Sequence, residues 1–336
     1  MNSDERIQLG HGGGGRLSRD LIDREILSRF GDGPLAGLPD GATLPEVQGR
    51  LVFSTDSFVV HPLIFPGGCI GDLAVHGTVN DIAACGGRPR WLSLAMILEE
   101  GLELATLRVV LDAVKAAADD CGVTVVTGDT KVVARGQCDG LYLNTAGIGE
   151  VLPGFALTAS SATPGDRVLV SGPIGDHGMA VMAAREGIRI ENGPESDSAP
   201  VHRLVQALQP WAEDVRFMRD PTRGGVATVL NELVDGQAFG LRLDEGKIPT
   251  STGTRAIAEA LGIDLLHVAC EGRLIAVLAP DAAAPALEAW RCLAEGRSAR
   301  DIGEVSTDAG RVVLETGFGG ARLVDVPQGE LLPRIC

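Results

Sequence analysis

What the chain lacks narrows it first. Aromatic residues make up 4% of the 336 positions, with a single tyrosine, too few to furnish the stacking platforms on which single-stranded nucleic acid is held. An excess of basic charge is also missing. The 45 acidic and 29 basic residues leave a net charge of -16, which disfavours polyanions held by general electrostatics, although a local site can still bind phosphate through metal ions and backbone amides. No nucleic-acid partner is expected. No stretch approaches about 18 uninterrupted apolar residues, and the opening MNSDERIQ has no apolar leader core, so a soluble, cytoplasmic chain without a membrane partner is expected. C-x-x-C pairs are absent too. The seven cysteines (Cys69, Cys85, Cys121, Cys138, Cys270, Cys292 and Cys336) are odd in number, which removes zinc-site and disulfide-framework readings.

What is there suits two hydrophobic cores: 45% of the residues are hydrophobic, and 45 glycines point to tight turns and close backbone approaches. The segment HGGGG, residues 11–15, precedes a stretch, 16–29, whose Leu17, Leu21 and Ile26 suggest an amphipathic helix. A Gly-rich loop at that place can wrap a phosphate or simply be a mobile terminus. Apolar, β-branched runs at Arg50–Ser54, Trp91–Leu98, Thr124–Thr127 and Leu141–Ile148 read as strands, and Ala105–Cys121 reads as a helix stopped by Gly122. This predicts an α/β or α+β first domain over residues 1–155. A turn-rich stretch around 150–165 introduces a second domain, 156–326. Its expected elements are strands at Arg167–Val170, Leu274–Leu278 and Arg311–Leu314, helices at Val201–Leu208 and Val226–Val234, and an exposed loop at Glu191–Pro200. Residues 327–336, PQGELLPRIC, read as a flexible tail.

Several constellations can carry chemistry. Acidic residues follow short apolar runs in Ser54-Thr55-Asp56, Asn80-Asp81 and Thr127-Gly128-Asp129. Carboxylates at strand ends can converge on one sheet edge and bridge hard cations to phosphate, or each can cap its own turn. Lys131 lies two residues beyond Asp129, so strand alternation puts both on one face, where the lysine can neutralise a phosphate or pair with an aspartate. RDPTRGG, residues 219–225, offers amides, the Thr222 hydroxyl and the Arg223 guanidinium at a helix start, suiting an anion, with Asp220 or Thr222 as a plain N-cap instead. Glu271, in ACEGRL, can be a base raised by apolar surroundings or a partner of Arg273. His76 can touch substrate or be a satisfied structural histidine. Cys336, the last residue, sits behind Pro333 on an arm that can visit two places. A prenylation signal is excluded by its position.

Taken together, TDSFVVHP (55–62), GDLAVHGTVNDIAACG (71–86), TGDTKVV (127–133), RDPTRGG (219–225), ACEGRL (269–274) and the final PRIC resemble the HypE family of hydrogenase maturation proteins, from the Gly-rich start to the last residue. That family is similar in fold to aminoimidazole ribonucleotide synthetase and selenophosphate synthetase. The resemblance implies a two-domain α/β (α+β) fold, with a β-rich N-terminal domain that dimerises and an α+β C-terminal domain. It also implies ATP and Mg²⁺. By motif position, Asp56, Asp81 and Asp129 would hold metal and phosphates, and Asp40 would join them from LPDGATL, where Gly41 replaces the first Ala of the Asp-Ala-Ala turn carried by relatives. Thr55, Asn80, Thr127, Gly128, Thr222 and Arg223 would line the nucleotide site, with His11, Gly12, Gly13 and Gly14 closing over it. The implied activity begins with a HypF-type partner loading a carbamoyl group onto Cys336. ATP-dependent dehydration follows, with Glu271 as base and Lys131 polarising the oxygen, giving a thiocyanate, ADP and phosphate. A HypC–HypD complex would then receive the cyano group as an iron ligand for a [NiFe]-hydrogenase. Two other readings stay open at this stage: a synthetase acting on a free small molecule, and a module whose tail only docks a partner.

Overall fold

The structure, a computed structural model, describes residues 6–188, 190–326, 329, 332 and 334–336. The chain opens with a 3-10 turn, Leu9–Gly12, and a helix over residues 16–30, α1, whose central turn Ile22–Leu27 is π-helical. There follow β1 (Leu51–Phe58), a small hairpin of β2 (Ile64–Phe65) and β3 (Gly68–Cys69), α2 (Ile70–Ala84), β4 (Gly87–Glu99), α3 (Leu104–Cys121), β5 (Thr124–Val133) and β6 (Leu141–Val151). Four of these strands form a sheet in the order β1-β6-β4-β5. Only β4 and β5 run parallel, because α3 carries the chain back between them. Gly122 ends α3 in the left-handed conformation, φ 66°, as a C-terminal glycine does.

Period-two alternation decides what each face of this sheet carries. Phe58, Leu92, Leu94, Met96, Leu98, Leu141 and Leu143 point inward and are buried against Leu73 and Val79 of α2 and Leu107, Val110, Leu111 and Val114 of α3. The alternate residues point outward, and among them Phe53 is 67%, Leu51 53% and Ile97 42% exposed. Buried along nearly its whole length, with His76, Thr78 and Asn80 buried among its apolar residues, α2 is a helix enclosed by protein. Two glycines let it approach so closely: a Cβ on Gly71 would lie 2.3 Å from the Val110 carbonyl oxygen, and one on Gly77 2.8 Å from the Phe58 ring.

The second sheet is built from β7 (Arg167–Val170), β8 (Val215–Arg219), β9 (Gly240–Asp244), β10 (Ile275–Leu278), β11 (Arg300–Ser306), β12 (Val312–Glu315) and β13 (Ala321–Leu323), in the order β13-β12-β9-β11-β7-β10-β8. Its helices are α4 (Asp176–Glu186), α5 (His202–Ala207), α6 (Gly225–Val234), α7 (Thr252–Leu261) and α8 (Pro280–Arg291). Val168, Val170, Ile275 and Val277 pack on one side with Val226, Leu230 and Leu233 of α6. Leu169, Ala276 and Leu278 pack on the other with Leu204 of α5 and Ala286 and Trp290 of α8. Ala83 and Ala84, the last residues of α2, belong to this second core.

Three readings of the sequence need correction. Asp56 and Asp129, expected just after their strands, lie within β1 and β5 instead, because both strands run on past the apolar residues. Asn80 and Asp81 do not follow a strand; they lie in the last turns of α2. The stretch 191–200 is irregular, yet Asp197 and Pro200 are buried in it, because hydrogen bonds from Asn80 and Glu271 draw its centre into the molecule.

Candidate active site

Four carboxyl groups come together where the two domains meet. Asp56 points off the inner face of β1, Asp81 off the end of α2, Asp220 follows β8, and Glu271 stands in the turn before β10. Their electrostatics show the crowding. Burial and then the charge of Asp81 lift Asp56 to about 6; burial and then Asp81 lift Asp220 to about 7. Asp81 is itself raised by burial, opposed by the Ser54 hydroxyl, which donates to its Oδ2 at 2.5 Å. Glu271 is pushed well above the usual carboxylate range, first by burial and then by Asp220, Asp197 and Asp56. Its Oε1 is buried without a hydrogen-bond partner among the described residues. Arg223 provides countercharge, 3.7 Å from Asp56 Oδ1.

The backbone of Glu271 is clamped from both sides. Its N–H donates to Asp197 Oδ1 at 2.9 Å, and its carbonyl accepts from Asn80 Nδ2 at 3.1 Å. Asn80 Nδ2 also donates to the Ala199 carbonyl at 3.0 Å, and its Oδ1 accepts from Val201 N–H at 2.8 Å. The Asn80 amide, expected along the nucleotide, is thus wholly committed to fixing the domains and the glutamate. His76 is likewise engaged, its Nδ1 2.9 Å from Ser198 Oγ.

Cys336 enters the same place from the opposite side. It lies in a cavity of about 500 Å³ with Ser57, Val59, Arg223, Thr228 and Ala269 on the walls. Burial and then the charge of Glu271 push its thiol up to about 12, against a hydrogen bond from Arg223. Docked, the sulfur is protonated at neutral pH.

Asp129, Lys131 and Thr127 are not brought to this cluster within one chain, and the sheet register says why. Asp56 pairs with Thr145, Thr145 with Leu94 and Leu94 with Gly128, so these four share the inner face. Asp129 and Lys131 fall on the other parity and face outward. Three strand spacings of about 4.8 Å, roughly 14 Å, also separate Asp56 from Gly128. Asp129, Gly128 and Thr127 instead border a cleft of about 160 Å³ against Ile26, Phe30, Leu94 and Met96. The Gly-rich segment lies along the same strand, with Gly12 packed on Val132 so tightly that a Cβ would come within 2.9 Å. His11 Nδ1 accepts from Gln8 N–H at 2.9 Å, while Gly13 and Gly14 are exposed. Asp40 is in an exposed bend ahead of β1, Thr55 Oγ1 donates to the Thr145 carbonyl at 3.0 Å, and Thr222 shapes the turn into α6.

The donor set fits a hard cation. Among the described residues no group of three or more His, Cys, Asp or Glu encloses a metal site, but Mg²⁺ usually takes one or two carboxylates and completes its shell with water and phosphate. Carboxyls lifted by one another's charge are the arrangement such a cation relieves. Two contributors escaped the sequence reading. The sequence offers Asp220 only as a cap, although that residue stands directly after β8, and the stretch holding Asp197 reads as an exposed loop.

Known proteins share this fold and sequence. Residues 39–151 match the model of the AIR synthase related protein, N-terminal domain, and residues 163–315 that of its C-terminal domain. The carbamoyl dehydratase HypE of Bradyrhizobium diazoefficiens is 48% identical over 332 residues, covering 98% of this chain and 96% of that protein. A crystal structure of the hydrogenase maturation protein HypE in complex with ATP superposes with a TM-score of 0.93 at 43% identity, covering 98% of this chain and 99% of that one. A HypE–HypF complex superposes at 0.81 with 42% identity, covering 91% and 99%.

Proposed function

The chain belongs to the AIR synthase related proteins and, within them, to the HypE carbamoyl dehydratases, and from that premise we propose that it uses ATP to dehydrate a carbamoyl group carried on the Cys336 sulfur to a thiocyanate. The observation that carries the reading is the seating of Cys336 beside Arg223 and within the field of Glu271. A half-buried thiol held protonated there is a poor nucleophile, which suits a sulfur that arrives already loaded.

The residues divide the work. Arg223 orients the carbamoyl group, whose oxygen takes the terminal phosphoryl group of ATP as one N–H proton leaves. Glu271, raised by burial and held by Asp197 and Asn80, receives protons from the nitrogen. Departure of phosphate with loss of the second N–H proton leaves Cys336–S–C≡N. Asp56, Asp81 and Asp220 would hold Mg²⁺, which neutralises phosphate charge during the transfer.

Asp129 and Lys131 enter from a second copy in this reading. They share the outer face of the first sheet with Leu51, Phe53 and Ile97, and packing that face against its equivalent in a homodimer would bring one chain's Lys131 toward the other's Cys336. The cleft beside Asp129 and the Gly-rich segment would take the adenosine end of the nucleotide. HypF is the loading partner and a HypC–HypD complex the acceptor of the cyano group for [NiFe]-hydrogenase iron. The test is the mass of the peptide bearing Cys336 after loading by the carbamoyl-transferring partner. With Mg·ATP it should lose the mass of one water, without ATP it should not, and a Cys336 that is never loaded would sink the reading.

A further inference from the structure

The main-chain oxygens of Arg334, Ile335 and Cys336 each find a donor. That of Cys336 accepts from Val59 N–H at 3.2 Å, that of Ile335 from His177 Nε2 at 2.9 Å, and that of Arg334 from His61 N–H at 3.3 Å and the Arg185 guanidinium at 2.7 Å. The segment is therefore held along its main chain. Side chains add to this: Arg334 pairs with Asp139, and Ile335 is 5% exposed in the core that also contains Phe65 and Val181. Arg334 sits at φ 56°, a left-handed conformation that persists in a residue with a Cβ only where its surroundings determine it.

His177 is the donor with the most constrained chemistry. It is completely buried, with Phe65 edge-on at 5.4 Å. A carbonyl oxygen only accepts, so Nε2 must carry the proton, and in a neutral imidazole Nδ1 is then the acceptor. Ser196 Oγ lies 2.8 Å from Nδ1 and itself accepts from Ser198 N–H at 3.1 Å, which directs the serine hydroxyl onto the ring. Ser196 is tied in turn to the Pro66 carbonyl through its own N–H at 2.8 Å. The relay Ser198–Ser196–His177–Ile335 thus fixes one tautomer and aims one N–H at the tail.

We propose that His177, oriented by Ser196, is the latch that holds the Cys336 segment in the site, setting how the sulfur divides its time between the docked place beside Glu271 and an outer place open to a loading partner. His177 touches neither the sulfur nor the carboxylates, so it is a positioning residue. Because the docked sulfur is half-buried and turned toward Arg223 and Glu271, the same bond opposes loading and favours dehydration. This consequence rests on the dehydratase reading; the latch itself does not.

The first measurement is therefore independent of that chemistry: the rate at which iodoacetamide alkylates Cys336 in the full chain, followed by the mass of its peptide. His177→Ala should raise it about five- to tenfold, the weight of one hydrogen bond. Ser196→Ala should give a smaller rise, and His177→Gln, which keeps an N–H donor, should return the rate toward that of the parent. The second measurement is loading against dehydration of the preloaded chain, where His177→Ala should speed the former and slow the latter. General loosening of the fold would not move these in opposite directions. Equal alkylation rates in parent, Ser196→Ala and His177→Ala overturn the latch, and should His177→Ala fail to fold, equality of Ser196→Ala with the parent does so. Faster alkylation with no dehydration even in the parent supports the latch and removes the dehydratase reading alone.

Discussion

The seven-stranded sheet has helices against both faces, whereas the four-stranded sheet turns one face to helices and leaves Leu51, Phe53 and Ile97 on the other open to water. In the first case an apolar run such as Ile275–Leu278 contributes to the stability of the chain itself. In the second, the outward residues contribute little to the single chain and become useful when something covers them. The same outer face carries Asp129 and Lys131, while Asp56 turns inward to Asp81, Asp220 and Glu271. What distinguishes the sheets is therefore where their apolar surface goes: into the core of the chain in one, and in the other onto an open face that the proposed homodimer would cover.

The bluntest way to break this comparison is to place a charge in each sheet. Val277→Asp puts a carboxylate where nothing is exposed and should cost more than about 4 kcal/mol, read as loss of the cooperative thermal transition. Phe53→Asp should leave unfolding of the single chain within about 0.5 kcal/mol and instead abolish dimers in sedimentation. If both variants unfold alike, the outer face is structural after all. On the inner face, Glu271→Gln should slow single-turnover dehydration by roughly two to four orders of magnitude with nucleotide binding kept.

Mixing Lys131→Ala with Cys336→Ala sharpens the comparison further. Each variant alone should be inactive. If the faces cooperate across a dimer, random re-association should restore about a quarter of parental turnover, since half of the dimers then contain one complete site. No recovery would place Lys131 in service of its own chain.

The smallest effect concerns protons and cations. Asp56 and Asp220 titrate near 6 and 7 in the fold and near 4 when unfolded. Between those values the native state binds more protons, so this contribution to stability declines as pH rises. Added Mg²⁺ should therefore raise the melting temperature more at pH 8 than at pH 5.5, by a difference of roughly 2–4 °C. His76, His177 and His202, drawn down to about 4 by burial, act in the opposite sense on the acid side. They do so with and without the cation, so the difference isolates the carboxylates.

How much of this was legible in the sequence follows from the periodicities. The long strands of the first sheet alternate and are β-branched, and α3 has both an apolar stripe and a terminal glycine, so each announces itself. In α2 no period is visible, because a helix enclosed on every side buries polar residues such as His76 and Asn80 along with its apolar ones. Short strands such as β9 and β13 carry too few residues to show alternation. The acidic residues could be picked out as types, but whether Asp129 faces with Asp56 or against it depends on register across three strand pairs, which no local pattern encodes. His177 and Ser196 had no motif at all: their partner lies 158 residues away from the histidine.

One feature of α2 bears on how such proteins can be recombined. The helix lies in the first half of the sequence, yet its final alanines complete the core of the second half, and its Asn80 ties down the backbone on both sides of residue 200. A chimera joined at the linker near residue 155 would pair a helix from one parent with a socket from another. Grafting between relatives should succeed only when Ala83, Ala84 and Asn80 travel with the residues they touch, so the unit of exchange is the helix with its socket rather than the domain.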